Sequence, residues 1–450
     1  MPRHATPRHA TFHSFAPGEN KGPGNCQPNA DYGIPFTLDT KWNNANENCE
    51  KLGMHWQDLD MPFFFLPDKA DVFGENGLYN YTKLHNFVDG SQATDKFPLA
   101  GVKMTFFAWG SPNSVTCSRR DYCDPIGGQN VLGFLRPYQE GEDVVVVAAP
   151  SDAVALFHDD AYGIDAHAAS VVTLLAAAKL VGDLADRTTA NVPDNVLFTL
   201  FSGERFGYTG SSSMGQRINS TTTFPATGAQ MKAENIKYYI ELDQLMDADS
   251  GDTEQWYIHT DKVGNGNANN AATAAAVANL VNNDGDATFV EATLGEMPPS
   301  SFRGLFGELD TQRSTVGAVV ISNYDQMFTN KNFESQYDAA SDFGFDADLT
   351  SDNKYIQQLC SLAHKVALAA VSFANTDADG EPTAPTTAAL GDTADCDYIT
   401  DLIKMIAVNR AEAAGDATAK IGSTYLAEGL GQAPVPLSRY VRNEHVPTAS

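Results

Sequence analysis

From residue 143 to residue 373 the chain alternates short, near-continuous apolar runs with longer stretches whose apolar residues recur every three or four positions. The runs at 144–149, 195–201, 236–242, 256–259 and 319–321 have strand length and little polar alternation, the pattern of strands covered on both faces. Residues 166–180, 271–281 and 352–373 carry helical spacing; in the last, Ile356, Leu359, Leu362, Ala363, Val366 and Ala369 fall on one stripe. Strands alternating with helices predict an α/β fold, a mainly parallel sheet flanked by helices.

The rest of the chain lacks that rhythm. Residues 1–20 are polar and repeat Pro-Arg-His-Ala-Thr at 2–6 and 7–11, which reads as a disordered tail. Residues 21–138 are rich in Gly, Pro, Asn and aromatics, with strand-like runs at 63–66 and 102–108 and with Trp42, Trp56 and Trp109. No helical period appears there, so an irregular, disulfide-pinned lobe is expected. The partition that follows is 1–20 tail, 21–138 irregular lobe, 139–378 main α/β lobe, 379–395 Pro/Thr/Ala-rich linker and 396–450 helical segment.

Charge narrows the function. Among 450 residues, 57 acidic against 29 basic give a net charge of −28, which excludes nucleic acid as a partner and disfavours adhesion to anionic lipid. Six cysteines fall into three local pairs, Cys26 with Cys49, Cys117 with Cys123 and Cys360 with Cys396, and none forms a Cys-x-x-Cys. With sequons at Asn80 and Asn219 they favour an oxidising lumen. There is no signal-peptide pattern, and no apolar run reaches the roughly 18 residues of a spanning helix. The chain is either a soluble cytosolic protein or part of a longer secreted or membrane-anchored one.

Candidate chemistry collects at strand ends, where ligands of open α/β sheets bind. Glu204 follows the 195–201 strand, Gly207 and Gly210 allow a tight turn, and Ser211 or Ser212 is placed to cap a helix beginning near Ser213. Asp243 ends the 236–242 run and is the expected neighbour of Glu204; two carboxylates in one cleft suit an acid/base pair, a metal site or a structural pair. Arg205 is expected to point away, if strand alternation continues. Tyr208 is placed to donate to Glu204 across the turn; a substrate's terminal ammonium is the other candidate. His158, Asp159, Asp160, Asp165 and His167 form a dense cluster that suits either a divalent ion or plain solvated charge. There is no Gly-x-Ser-x-Gly elbow, no cysteine in a nucleophile setting and no phosphate loop.

The segment Gly203-Glu204-Arg205-Phe206-Gly207-Tyr208-Thr209-Gly210-Ser211-Ser212 resembles the nicastrin family's stretch ending in Asp-Tyr-Ile-Gly-Ser, with Gly207 for the Asp and Thr209 for the Ile. Cys117-Ser-Arg-Arg with Cys123-Asp-Pro, 144–152, 170–177, Pro298-Pro-Ser-Ser, 328–333 and Tyr337-Asp338 are similar to the same family in the same order, so the resemblance covers roughly 24–373. It implies a glycoprotein subunit of γ-secretase, partnered by presenilin and two smaller polytopic subunits and facing type I membrane-protein substrates. It also implies a lumenal or extracellular ectodomain whose signal peptide and single membrane anchor lie outside this chain. Within it, 21–138 becomes a partial small lobe and lid and 396–450 a truncated C-terminal segment. Cys26–Cys49 and Cys117–Cys123 resemble two of the family's disulfides; Cys360–Cys396 is suggested by proximity to one helical unit.

The family's large lobe is in turn similar to di-zinc aminopeptidases, which need His, Asp, Glu, Asp and His ligands with a Glu base. Carried over position by position, the first histidine is Pro150, with Asp152 kept two residues on. The bridging aspartate is Ala166, the base is Gly203, and the last histidine is Thr329. Glu204 and Asp243 remain, and Asp165 and His167 flank the lost bridge. The resemblance therefore implies a pseudo-peptidase with no catalytic residues, no metal and no cofactor, in which Glu204, Tyr208, Asp243 and Asp152 are a vestigial or substrate-recognition site. Glu204 is expected to be structural rather than amine-binding. An active zinc aminopeptidase and a receptor ectodomain on the same dead fold are the alternatives.

Overall fold

The computed structural model describes residues 87–88, 91–92, 395–408 and, with interruptions, 129–375. Cys26, Cys49, Cys117, Cys123, Asn80 and the 158–160 part of the His/Asp cluster lie outside the described residues. Strands β1 (Phe87–Val88) and β2 (Ser91–Gln92) form a short antiparallel pair.

The main sheet has seven strands: β3 (Val131–Phe134), β4 (Val144–Pro150), β5 (Asn195–Phe201), β6 (Ile236–Leu242), β7 (Gln255–His259), β8 (Thr288–Glu291) and β9 (Gly317–Ser322). Their spatial order is β3-β5-β4-β6-β9-β7-β8. The pairs β4/β5, β4/β6, β6/β9 and β7/β8 are parallel; β3/β5 and β7/β9 are antiparallel. The sheet is therefore mainly parallel, as the apolar runs predict. β3 is a correction, since it joins this sheet from within the 21–138 stretch expected to be irregular.

Helices α1 (Ala169–Arg187), α3 (Ala271–Asn282), α5 (Lys354–Phe373) and α6 (Cys396–Ile403) supply one cover; α2 (Thr209–Asn219) and α4 (Ser301–Glu308) supply the other. Strand β4 shows why both faces are apolar. Its alternation sends Val145, Val147 and Ala149 into the core under α1 and α5, and Val144, Val146 and Ala148 into the core under α2 and α4. Tyr238 stacks on Phe373 on the first side, and Tyr239 meets Phe302 and Phe306 on the second.

Cys360 of α5 and Cys396 of α6 are disulfide-bonded, tying the last described helix to the core across a separation of 36 residues. The span Ile164–Asp183 is long and apolar enough to cross a membrane, but 78% of it is buried in this fold, so it serves as a core helix. Asn219 is exposed at the end of α2.

Because β4, β5, β6 and β9 run parallel, their carboxyl ends share one rim. Residues 151–152, 202–205, 243–244 and 323–324 gather there, joined by the π-helical turn Ile164–Ala168 that leads into α1.

Candidate functional site

At the end of β4, Pro150 pairs in register with Phe201 and brings no donor side chain. Two residues later Asp152 is buried and accepts the backbone N–H groups of Glu204 at 2.9 Å and Arg205 at 3.1 Å. These amides open the 3₁₀ turn Glu204–Phe206, made possible by Gly203 at φ +77°. Asp152 thus caps that turn. Burial raises its pKa, against the charge of Arg205 and the amide bonds.

Glu204 is also buried. Its Oε1 accepts the backbone N–H of Ser211 at 2.8 Å and its Oε2 the Ser211 hydroxyl at 2.7 Å. Helix α2 begins at Thr209, not near Ser213, and neither Ser211 nor Ser212 is its N-cap. The N-cap is Tyr208, held at φ 59°, ψ 40° with no side-chain cap bond. A left-handed non-glycine residue costs about 1–2 kcal/mol. Glu204 makes up the missing cap from the preceding turn, putting a carboxylate against an orphan amide at the positive helix end. Burial still lifts its pKa to about 7, with the two Ser211 bonds opposing. Close approach enforces the arrangement: a Cβ on Gly210 would lie 2.4 Å from the Ser202 carbonyl oxygen, and one on Gly304 would lie 2.1 Å from the Ser211 hydroxyl.

Asp243 is not the hydrogen-bonding partner of Glu204. Its Oδ1 accepts from Arg205 Nη2 at 3.0 Å, and the same nitrogen donates to the Ala166 carbonyl at 2.7 Å. The expectation that Arg205 points away fails because strand alternation stops at Phe201. In the 3₁₀ turn that follows, successive side chains are about 120° apart, so Glu204 faces α2 while Arg205 faces Asp243. Burial raises the pKa of Asp243 against the pull of Arg205.

The two residues flanking Ala166 are buried as well. Asp165 accepts from the backbone N–H of Met246 at 2.8 Å and from Asn330 at 3.2 Å, while Asp338 accepts the backbone N–H groups of Asp165 and Ala166, both at 3.0 Å. Burial and then the neighbouring Asp338 charge push Asp165 well up. His167 is held neutral, its pKa lowered to about 4 by burial and next by Arg205. Thr329 is half-buried beside Asn330, with no hydrogen-bond partner for its hydroxyl among the described residues.

Glu241, inside β6 and two residues before Asp243, is a comparable anchor that the sequence analysis does not single out. Its carboxylate accepts Ser301 N at 2.6 Å, Phe302 N at 2.8 Å and the Tyr239 hydroxyl at 2.8 Å, capping α4 where Ser300 makes no side-chain cap bond. Burial and the Asp243 charge raise its pKa to about 8. A Glu in a buried strand was the available signal; its partner 60 residues away was not.

The residues do not fit a two-zinc centre. Pro150 and Ala166 have no donor side chain, Gly203 has no carboxylate to act as base, and Asp152, Glu204 and Asp165 are committed to protein donors. A guanidinium, itself a cation, is seated on Asp243. What the rim does is lock β4, β5, β6, α2 and the turn before α1 together through buried polar contacts.

A family model described as the nicastrin large lobe matches residues 143–376, just over half of the chain. Human nicastrin is 28% identical over 342 residues, covering 69% of this chain and 44% of that protein, and Dictyostelium discoideum nicastrin is 25% identical over 322 residues, covering 66% and 46%. The chain thus spans about half the length of the curated relatives it matches. Among solved structures, the crystal structure of the gamma-secretase component nicastrin aligns with a TM-score of 0.50 at 20% identity, over 66% of this chain and 50% of that one, a likeness of fold. On the match of its α/β lobe to that model, this chain belongs to the nicastrin family.

Proposed function

We propose that this chain is the large-lobe portion of a non-catalytic subunit of a γ-secretase-type intramembrane protease complex. In this reading it assembles with presenilin and two smaller polytopic subunits, stands on the lumenal or extracellular side, and screens or positions type I membrane-protein substrates by their short extracellular ends. Residues 21–128 are then part of a small lobe and lid, 129–378 the large lobe with β3 as its edge strand, 379–395 a linker and 396–450 a C-terminal helical segment.

The observation that carries the non-catalytic reading is the fate of Glu204, whose two oxygens are both spent on Ser211 inside the fold. A carboxylate so engaged neither activates water nor meets an incoming ammonium without breaking the cap of α2. Screening by size, with the lobe as a rigid obstacle, therefore agrees better with this geometry than capture of an amino terminus by Glu204.

The test is affinity purification of the full-length protein from its own cells in mild detergent. Presenilin should co-purify in near-stoichiometric amount. Recovery of the full-length protein free of presenilin, with the lobe intact, would count for a receptor ectodomain instead.

A further inference from the structure

The turn Ile164–Ala168 is fastened to the segment after β9 through a pair of acids. Asp338 accepts the backbone N–H groups of Asp165 and Ala166 through Oδ1 and Oδ2, both at 3.0 Å, and its backbone carbonyl accepts that of Ile164 at 3.1 Å. Asp165 Oδ1 accepts the Met246 amide at 2.8 Å. A single nitrogen, Asn330 Nδ2, donates at 3.2 Å to Asp165 Oδ2 and also at 3.2 Å to Asp338 Oδ1. Two carboxylates held by one amide nitrogen are close neighbours, and both are buried.

Among the described residues neither carboxylate forms an ion pair. The groups that face them offer no free positive charge. His167 of the same turn is neutral, Arg205 beside Ala166 is paired with Asp243, and Asp243 towards Asp165 and Asp342 towards Asp338 are acids themselves. Two negative charges so placed in a dry interior repel with nothing to offset them, so the folded chain keeps a proton on the pair. Burial raises the pKa of both groups; the Asp338 charge lifts Asp165 further, while the amide bonds to Asp338 oppose its rise. Asp338 receives three N–H donors and Asp165 two, so the proton resides on Asp165.

We infer that Asp165 and Asp338 form a proton-operated latch: one proton on the pair keeps the turn before α1 closed against the segment after β9, and its loss to solvent opens that contact. With both acids charged, parting them relieves the repulsion and frees the Asp165 and Ala166 amides. The Ala166 carbonyl is one of two acceptors of Arg205 Nη2, so opening also loosens the seat of Arg205 on Asp243 at the rim. The latch is closed in acid and opens as pH rises through the titration of the pair. It needs no partner subunit.

Amide hydrogen exchange of the full chain at pH 5.5, 7.0 and 8.5, read by mass spectrometry and corrected for the intrinsic pH dependence of exchange, tests it. In wild type, protection of the turn is expected to fall about tenfold or more from pH 5.5 to 8.5. Asp165→Asn, neutral and of the same shape, should limit the fall to about threefold, whereas Glu204→Gln should leave the wild-type fall in place. A wild-type turn whose protection does not change with pH overturns the inference. So does a fall that Asp165→Asn leaves unchanged or that Glu204→Gln abolishes. Should Asp165→Asn not fold, carboxyl carbon-13 titration of wild type labelled at aspartate decides: a resonance with its midpoint above pH 6 is expected, and no aspartate titrating above that pH overturns the inference. Absence of presenilin from the purified full-length protein would overturn the proposed function and leave the latch standing.

Discussion

Glu204→Ala lowers the melting midpoint of this chain by roughly 5–15 °C. The substitution leaves the Ser211 amide and hydroxyl buried without their acceptor and strips the helix α2 terminus of its cap. A buried unsatisfied donor costs about 1–3 kcal/mol and a lost cap about 0.5–2 kcal/mol. Each kcal/mol moves the midpoint of a domain of this size by about 2–4 °C. Glu204→Gln should lose less than half as much at pH 6, because its amide oxygen still accepts the Ser211 amide and the Ser211 hydroxyl is free to accept in turn. Differential scanning calorimetry reads both. If Glu204 were instead a ligand-facing anion, neither change would lower the midpoint.

Stability falls as pH rises from 6.5 to 8.5. Glu204 and Glu241 have folded pKa values raised to about 7 and about 8, above the ordinary value of 4.5. A group of that kind favours the fold while protonated, and its contribution is lost as pH climbs through the folded pKa. Linkage puts the combined loss over this window on the order of 2–3 kcal/mol. The buried His167 and His259, with pKa lowered to about 4 and about 3, act the other way, but only below their unfolded value of 6.5. The net charge of −28 adds self-repulsion in the same direction as the carboxylates. A midpoint that falls by several degrees between pH 6.5 and 8.5, with a shallower fall in Glu204→Gln, is the expected result; a flat or rising profile contradicts it.

The strands of the parallel core were legible because burial on both faces leaves a continuous apolar run, as in 144–149. Helix α5 was legible because one apolar stripe at helical spacing is hard to mistake. The Cys360–Cys396 bond was suggested by pairing the two remaining cysteines near the last helical stretch, and it joins two separate helices, α5 and α6. β8 escaped because four residues, Thr-Phe-Val-Glu at an edge, alternate too briefly to stand out. At the rim, the residue types were visible and their directions were not. Glu204 and Arg205 are neighbours in sequence, yet the change from strand to 3₁₀ turn after Phe201 sends one to Ser211 and the other to Asp243. No periodicity argument crosses such a change of backbone geometry. The long-range bonds from Asp338 and Asn330 to the turn before α1 depend on tertiary closure, which leaves no local pattern.

Aminopeptidase turnover tests the central claim most directly. The purified chain, supplied with zinc and offered unblocked aminoacyl amides and short peptides, is expected to release no free amino acid above a no-protein control at any pH from 6 to 9. Zinc-dependent release that a chelator abolishes would show a working peptidase and contradict the non-catalytic account.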